Sequence, residues 1–294
     1  MPEGIERRAR WLAGGLIALA IGLVTNAILG PLSLGAIEYQ FSETLTNQGI
    51  GLDVIALAGA APIAAAAAGL ILRGHRAGPV LAFIPATFSA YMAPQYAIGP
   101  DYLGMPGNNE QFFLFHLARF VLGVVLVFAA WQQVDRSRLP SSARADRLRS
   151  WVMFGVVAFI SLRWIPGMIE LTAGDPTLVD YVVGPTSYVL IGFLDLGMVV
   201  PAALAAGVAL WLGAGWARTA AYGVIGWFAL VPAAVAGMAI AMWVNDDPNA
   251  TGSQAILMTV FAVVFTIGAA LLYRPLFGSP TAVSRSRQSL PDSW

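Results

Sequence analysis

The chain contains no cysteine and no lysine. Without cysteine there can be no disulfide, thiolate metal site, cysteine nucleophile or thioether haem attachment. Without lysine there is no retinal Schiff base and no lysine-based covalent chemistry; all 16 basic side chains are arginine. Histidine is scarce: His75 and His116 are the only two. They fall at opposite ends of their apolar runs, so a haem held by both is not expected. Charged residues make up 11% of the 294 residues, where soluble domains carry about 25%. The formal net charge is zero, which gives no reason to expect nucleic acid as a partner. No Walker loop, Gly-x-Ser-x-Gly, His-Glu-x-x-His or dinucleotide fingerprint is present, and no cofactor is expected.

What is present is apolar length. The composition is 58% hydrophobic, with mean hydropathy +0.72. Eight apolar stretches lie near 11–32, 52–72, 78–99, 111–133, 151–171, 187–212, 217–243 and 254–273. Each approaches the roughly 20 residues a helix needs to cross the hydrocarbon core. The expected fold class is therefore all-α, a membrane bundle of eight transmembrane helices. No small-residue cleavage site follows the first run, which is expected to be a retained helix rather than a signal peptide. Turn chemistry separates the runs at Gly99-Pro100, Met105-Pro106-Gly107-Asn108-Asn109, Gly174-Asp175-Pro176 and Asn245 through Pro248.

Arginine distribution orients the bundle. Arg7, Arg8 and Arg10 precede the first run; Arg73 and Arg76 follow the second. Arg136, Arg138, Arg144, Arg147 and Arg149 follow the fourth, Arg218 the sixth, and Arg274, Arg285 and Arg287 the last. All 14 lie on one side, and the opposite connections carry only acids: Glu38, Glu43, Asp101, Glu110, Asp175, Asp180, Asp246 and Asp247. The positive-inside rule puts both termini in the cytoplasm, in a multi-pass protein expected in the bacterial cytoplasmic (inner) membrane. Trp11, Trp131, Trp151, Trp216 and Trp243 fall near run ends, as interface anchors do.

The chain divides into a first four-helix half (1–134), a basic linker (135–150) that is expected to be mobile, a second four-helix half (151–277) and a Ser-, Pro- and Arg-rich tail (278–294) expected to be disordered. The second run of each half looks alike. One reads Leu52-Asp53, then Pro62, then an alanine-rich stretch; the other reads Leu194-Asp195, then Pro201, then an alanine-rich stretch. Four spans per half would give two units of the same orientation, related by an axis along the membrane normal. The alternative is that Leu-, Ala- and Gly-rich spans look alike by composition alone.

Leu-Asp-x-x-x-Leu-x-x-x-x-Pro from Leu52, the Tyr91/Tyr96 stretch and Leu194-Asp195-Leu196 with Pro201-Ala202 resemble a group of bacterial, actinobacterial-type, polytopic integral membrane proteins of unknown function. The resemblance covers about 50–240. It departs at Ala90-Tyr91-Met92-Ala93-Pro94-Gln95-Tyr96, where that group is richer in tyrosine. It implies a multi-pass bundle and assigns no site residue. The alanine, glycine and arginine bias fits a bacterium of high GC content.

The candidate site is a set of polar side chains at one depth. Arg119, Arg163 and Asp195 each lie about eight residues from the outer end of their runs, roughly 12 Å down. Tyr91 and Asn26 reach a similar level, His116 shares a face with Arg119, and Glu170 shares a face with Arg163. Charge at that depth costs about 2.5–3.5 kcal/mol per residue, so these groups should face inward as one cluster, with Asp195 pairing one arginine. The surplus positive charge would be balanced by Glu170 or by an anionic ligand. Asp53 reads as a helix-start residue. His116 reads as a hydrogen-bonded core histidine rather than a metal ligand, and Asp246-Asp247 as a solvated turn. Prolines at 62, 85, 166, 201 and 232 suggest kinks, and the stretches around Ala64 to Gly69 and Ala202 to Gly207 suggest close packing.

Three function classes stay open. One is binding or transport of a small anionic or amphipathic solute at the polar cluster. Another is a membrane enzyme acting on a lipid or isoprenoid, with Asp195, Glu170 and His116 as acid–base candidates. The third is a non-catalytic subunit or sensor with a membrane-protein partner or a second copy of itself. Membrane lipids are partners in each. A purely structural role for the buried charges, fixing helix register, stands beside all three.

Overall fold

The computed structural model describes residues 3–140, 142–174 and 176–278. Among these the chain is helical and has no strand. The helices are α1 (Glu3–Leu29), α2 (Glu43–Ile55), α3 (Ala61–Leu72), α4 (Ala77–Ile98), α5 (Phe113–Gln133), α6 (Ala143–Ala173), α7 (Val179–Val183), α8 (Pro185–Leu194), α9 (Val200–Trp211), α10 (Ala217–Val244) and α11 (Gly252–Tyr273). A π-helical turn, Ala56–Ala60, joins α2 to α3 in one rod, and Asp195–Val199 joins α8 to α9 in another. Seven segments are long and apolar enough to cross a membrane: Glu6–Leu29, Glu43–Leu72, Asn109–Gln133, Ala143–Ala173, Pro185–Trp211, Ala217–Val244 and Gly252–Leu276. Large apolar side chains such as Leu162, Phe193 and Val244 point outward, the reverse of a soluble surface. This is an integral membrane protein.

Seven is one fewer than the eight runs expected. The difference is α4, whose 22 residues include Pro85, Pro94, Thr87, Ser89, Gln95 and two tyrosines. Its polar content is accommodated because α4 is enclosed: it packs against α1, α3, α5, α8 and α10. The other enclosed helix is α10, which touches α2, α4, α6, α9 and α11. The remaining long helices form a shell around this pair and carry most of the outward apolar surface.

Two boundaries differ from expectation for identifiable reasons. The second span begins at Glu43 rather than 52, with Ser42 capping the Leu45 N–H at 3.4 Å. The polar, glycine-bearing sequence of 43–51 hides a helix whose buried face is made of Thr44, Asn47, Gly49 and Gly51. Asp53 is therefore well inside the span, fully buried, and is not a helix-start residue. The linker likewise shortens, because α6 begins at Ala143 with Ser142 as its cap. Asp146, Arg149 and Ser150 are buried there. Asp146 pairs with Arg149 at 3.0 Å and Arg218 at 2.8 Å, so that part of the linker is fixed in the fold. The tail expected from 278 falls outside the described residues after Gly278.

The prolines behave in two ways. Pro62 and Pro201 each stand two residues after a π turn. Proline has no N–H to give to the carbonyl four residues back and its ring strikes that carbonyl; the wider π turn makes room for it. Pro85, Pro166 and Pro232 lie inside helices that continue through them.

The basic segments gather at one end. Arg76 donates to the backbone carbonyls of Leu276 and Pro275 (both 2.9 Å), Gly278 (2.6 Å) and Arg138 (3.3 Å). Gln133 reaches the Arg8 carbonyl at 3.1 Å, and Arg218 meets Asp146. The acidic connections meet at the other end. There Asp101 N–H bonds the Gln40 carbonyl (2.9 Å) and Asn108 clasps Glu38 and Ala36.

Candidate functional site

The polar residues expected to form one cluster form two, on opposite sides of α4. The first is a closed network. Asp53 on α2 accepts from the Tyr39 hydroxyl (2.6 Å), from Asn26 Nδ2 on α1 (2.7 Å) and from the Tyr96 hydroxyl on α4 (3.0 Å). Asn26 Oδ1 accepts from Arg119 Nη1 on α5 at 2.6 Å, while its Nδ2 also reaches Tyr39 at 2.9 Å. The asparagine amide thus links the guanidinium to the carboxylate, donor side to one and acceptor side to the other. Arg119 lies 5.6 Å from the Tyr96 ring centroid and 5.5 Å from that of Phe115. His116 stacks on Tyr96 at 5.5 Å, and its Nδ1 is 3.5 Å from Arg119 Nη1.

This network is closed off from bulk solvent. Asn26, Asp53 and His116 are wholly buried and Tyr39, Tyr96 and Arg119 nearly so. Tyr39 lies in the α1–α2 connection, yet its hydroxyl is carried down to Asp53. Burial first, then the neighbouring Tyr96 and Asp53, hold its phenol well above the usual range, so it stays a donor. Gly30 is needed here: a Cβ would come within 2.7 Å of the Tyr39 hydroxyl. The acidic connections close this end, where Asn109 bonds the Tyr96 carbonyl at 2.9 Å and the Gln40 side chain at 3.0 Å. One positive and one negative charge balance inside, so the surplus that suggested an anionic ligand disappears. The buried His116 Nε2 and Arg119 Nε have no partner among the described residues.

The second group surrounds Asp195, the first residue of its π turn. Its carboxylate does not pair with an arginine. Oδ1 accepts from the Tyr91 hydroxyl on α4 and Oδ2 from Trp164 Nε1 on α6, both at 2.6 Å. Arg163, one residue from Trp164, lies 4.9 Å over that indole and pairs with Asp180 on α7. Both members of this pair are about half exposed, at 47% and 60%, so Arg163 is not enclosed in a buried cluster. Glu170 does not meet Arg163; it accepts from Thr177 N and Oγ1 at 2.6 and 2.9 Å, closing the α6–α7 turn.

Beside Asp195 is a cavity of about 590 Å³, walled by α4, α6, α7, α8, α10, α11 and the start of α2. Its walls are chiefly apolar and aromatic, with Trp164, Tyr188, Trp227, Phe228 and Phe265 among them. The charged side chains on it are Arg163, Asp180 and Asp195. Asp195 is partly open to this space, whereas Asp53 is wholly buried.

Of the sequence candidates, Asn26, His116 and Arg119 belong to the closed network, Tyr91, Asp195 and Arg163 to the cavity, and Glu170 to neither. Tyr39, Tyr96 and Trp164 complete the two sites and were not singled out as site residues. Tyr39 sits in a connection with no periodicity to reveal it. Trp164 adjoins a marked arginine but reads as one more apolar residue. Asp246 is exposed in a turn as expected, but Asp247 is buried and accepts from Thr44 (3.1 Å), Asn47 (3.0 Å) and the Asn249 N–H (2.9 Å). Among the described residues no three His, Asp or Glu side chains converge as a metal site would require. No known protein family, curated protein or solved structure matches this chain.

Proposed function

We propose that the protein binds, and by opening and closing its second half transports, an amphipathic solute in the cavity beside Asp195. The observation that carries this reading is a space of about 590 Å³, within the range of ligand sites, reached by an intramembrane carboxylate. Charged groups at membrane depth mark functional paths when they are not consumed by structure. Asp53 is consumed, by three donors in a closed core; Asp195 keeps an open side. The anionic solutes that the arginines suggested lose their support, since Arg119 is sealed and Arg163 is taken by Asp180. The acid–base trio of an enzyme does not assemble either: His116 is walled off with Arg119, and Glu170 caps a turn.

The topology that accompanies this proposal has eight spans, α4 included, since 22 residues at about 1.5 Å each cover a hydrocarbon core of about 30 Å. Both termini lie in the cytoplasm of a bacterial inner membrane, a placement supported by the common end of the basic segments. The two halves are parallel repeats. In each, the first helix packs on the second rod (α1 on α3, α6 on α9) and the last two helices pair (α4 with α5, α10 with α11). In each, the second rod carries a π turn ending two residues before its proline.

The natural absence of cysteine makes a direct test available. Val231→Cys puts a unique thiol on the cavity wall, Leu162→Cys one on the lipid face and Met153→Cys one in the dry core. N-ethylmaleimide is expected to alkylate the first in intact membranes and to spare the other two. A Val231→Cys thiol as inert as that of Leu162→Cys would sink the proposal.

A further inference from the structure

We propose that the cavity is selective for an amphipathic organic cation, an amine-headed molecule with an apolar tail, that enters sideways from the outer leaflet and uses Asp195 as its counter-ion. This rests on the reading of the cavity as a binding site and goes further by fixing the charge and the route of the occupant.

The charge argument begins with the carboxylate. Asp195 receives two neutral donors, Tyr91 and Trp164, and no ion pair to it forms among the described residues. A carboxylate offers about four acceptor positions, so two remain. The sole cation on the wall, Arg163, is engaged by Asp180. One arginine and two aspartates leave the lining with one negative charge in surroundings of low dielectric, where an opposite charge is favoured and a like charge strongly opposed. The rings agree with the carboxylate. Tyr91 packs on Trp227 at 5.1 Å and Trp164 on Tyr188 at 4.9 Å, which lines the approach to Asp195 with the aromatic faces that attract ammonium groups.

The route follows from which helices touch. α11 packs along α10, and α6 packs along α9 and touches α10; α6 and α11 do not pack along each other. Both contribute to the cavity, α6 through Phe159 and Ile160 and α11 through Met258 and Phe261. Phe159 and Phe261 are also exposed on the outside of the bundle, so they form the two lips of a cleft facing lipid. An apolar tail can stay in the bilayer while its head group slides between them. The polar rim, Arg163 with Asp180, lies on the outer side of the same cavity.

The test uses the full chain carrying Val231→Cys in lipid nanodiscs. Three amphiphiles with the same dodecyl tail, dodecylammonium, dodecanol and laurate, are compared at equal mole fraction in the bilayer for protection of the thiol from N-ethylmaleimide. Dodecylammonium is expected to protect at concentrations lower than laurate by at least about ten-fold. Adding Asp195→Asn should bring the two together, while Asp195→Glu should keep them apart. Laurate protecting as well as dodecylammonium, protection by none of the three, or a preference that survives Asp195→Asn would each overturn the inference while leaving a reactive cavity. A thiol that never reacts would instead remove the cavity reading beneath it. The comparison within Val231→Cys needs no second substitution, so it decides the matter even where Asp195→Asn fails to fold.

Discussion

Asp53 and Asp195 sit in the two rods that carry a π turn, each held by a tyrosine of α4, yet one is sealed and the other faces open space. Around Asp53 every neighbouring element contributes to closure: α1 sends Asn26, the first connection Tyr39, α5 the Arg119 charge. Around Asp195 the donors come only from α4 and α6, and α10 and α11 stand back. The contact between rods follows the same division. α2 packs along α10, whereas α8 touches α4 over a short stretch. A membrane carboxylate is thus a structural element or an accessible group according to how many of its acceptor positions the protein fills.

The largest expected effect comes from breaking the sealed side. Asp53→Ala leaves Tyr39, Tyr96 and Asn26 without their acceptor and Arg119 without its counter-charge, and should cost about 3–5 kcal/mol. Asp195→Ala frees two donors that water in the cavity can reach, and should cost about 1–2 kcal/mol. Thermal unfolding of the two variants in the same detergent gives the difference; equal losses would erase the distinction between the sites. Next comes the rod contact itself. Gly51→Ala forces α2 away from α10, at about 1–3 kcal/mol, a loss read in the same unfolding measurement.

Acid sharpens the comparison from the end where the acidic connections meet. Burial pulls the Asp247 carboxyl upward, but Asn47, the Asn249 N–H, Thr44 and the Asn249 side chain outweigh it and leave it below the ordinary carboxylate range. Its folded pKa is thus lower than its unfolded value of about 3.9. The stability it contributes is complete above that value and is lost as pH falls through the folded pKa. Asp247→Asn should flatten that part of the melting-temperature profile below about pH 4, and an unchanged acid slope would show that the group carries none of it. The smallest effect is at the cavity mouth, where Arg163→Gln breaks an exposed pair worth less than about 1 kcal/mol.

The class of protein was legible in hydropathy and in the arginine count, because both follow from the bilayer itself. Seven segments meet the criterion of length and apolarity, and the basic connections share one end. α4 shows where that logic stops: an enclosed helix need not be apolar, so its tyrosines, Gln95 and prolines lower its hydropathy for reasons of packing. Spacing predicts a common depth for Arg119, Arg163 and Asp195, but depth along the normal says nothing about azimuth. Arg119 and Asp195 lie on opposite sides of α4. The start of the second span was concealed because Thr44, Asn47 and Gly51 bury a polar and glycine face, the pattern that usually marks a loop. The π turns before Pro62 and Pro201 leave no composition signal beyond the prolines themselves.

Gly51 and Gly237 are where α2 and α10 meet without side chains between them; a Cβ on Gly237 would lie 2.7 Å from the Gly51 carbonyl oxygen. Two rods touching backbone to backbone at a single level can tilt about that point far more easily than they can slide past it. The glycine pair is then a fulcrum.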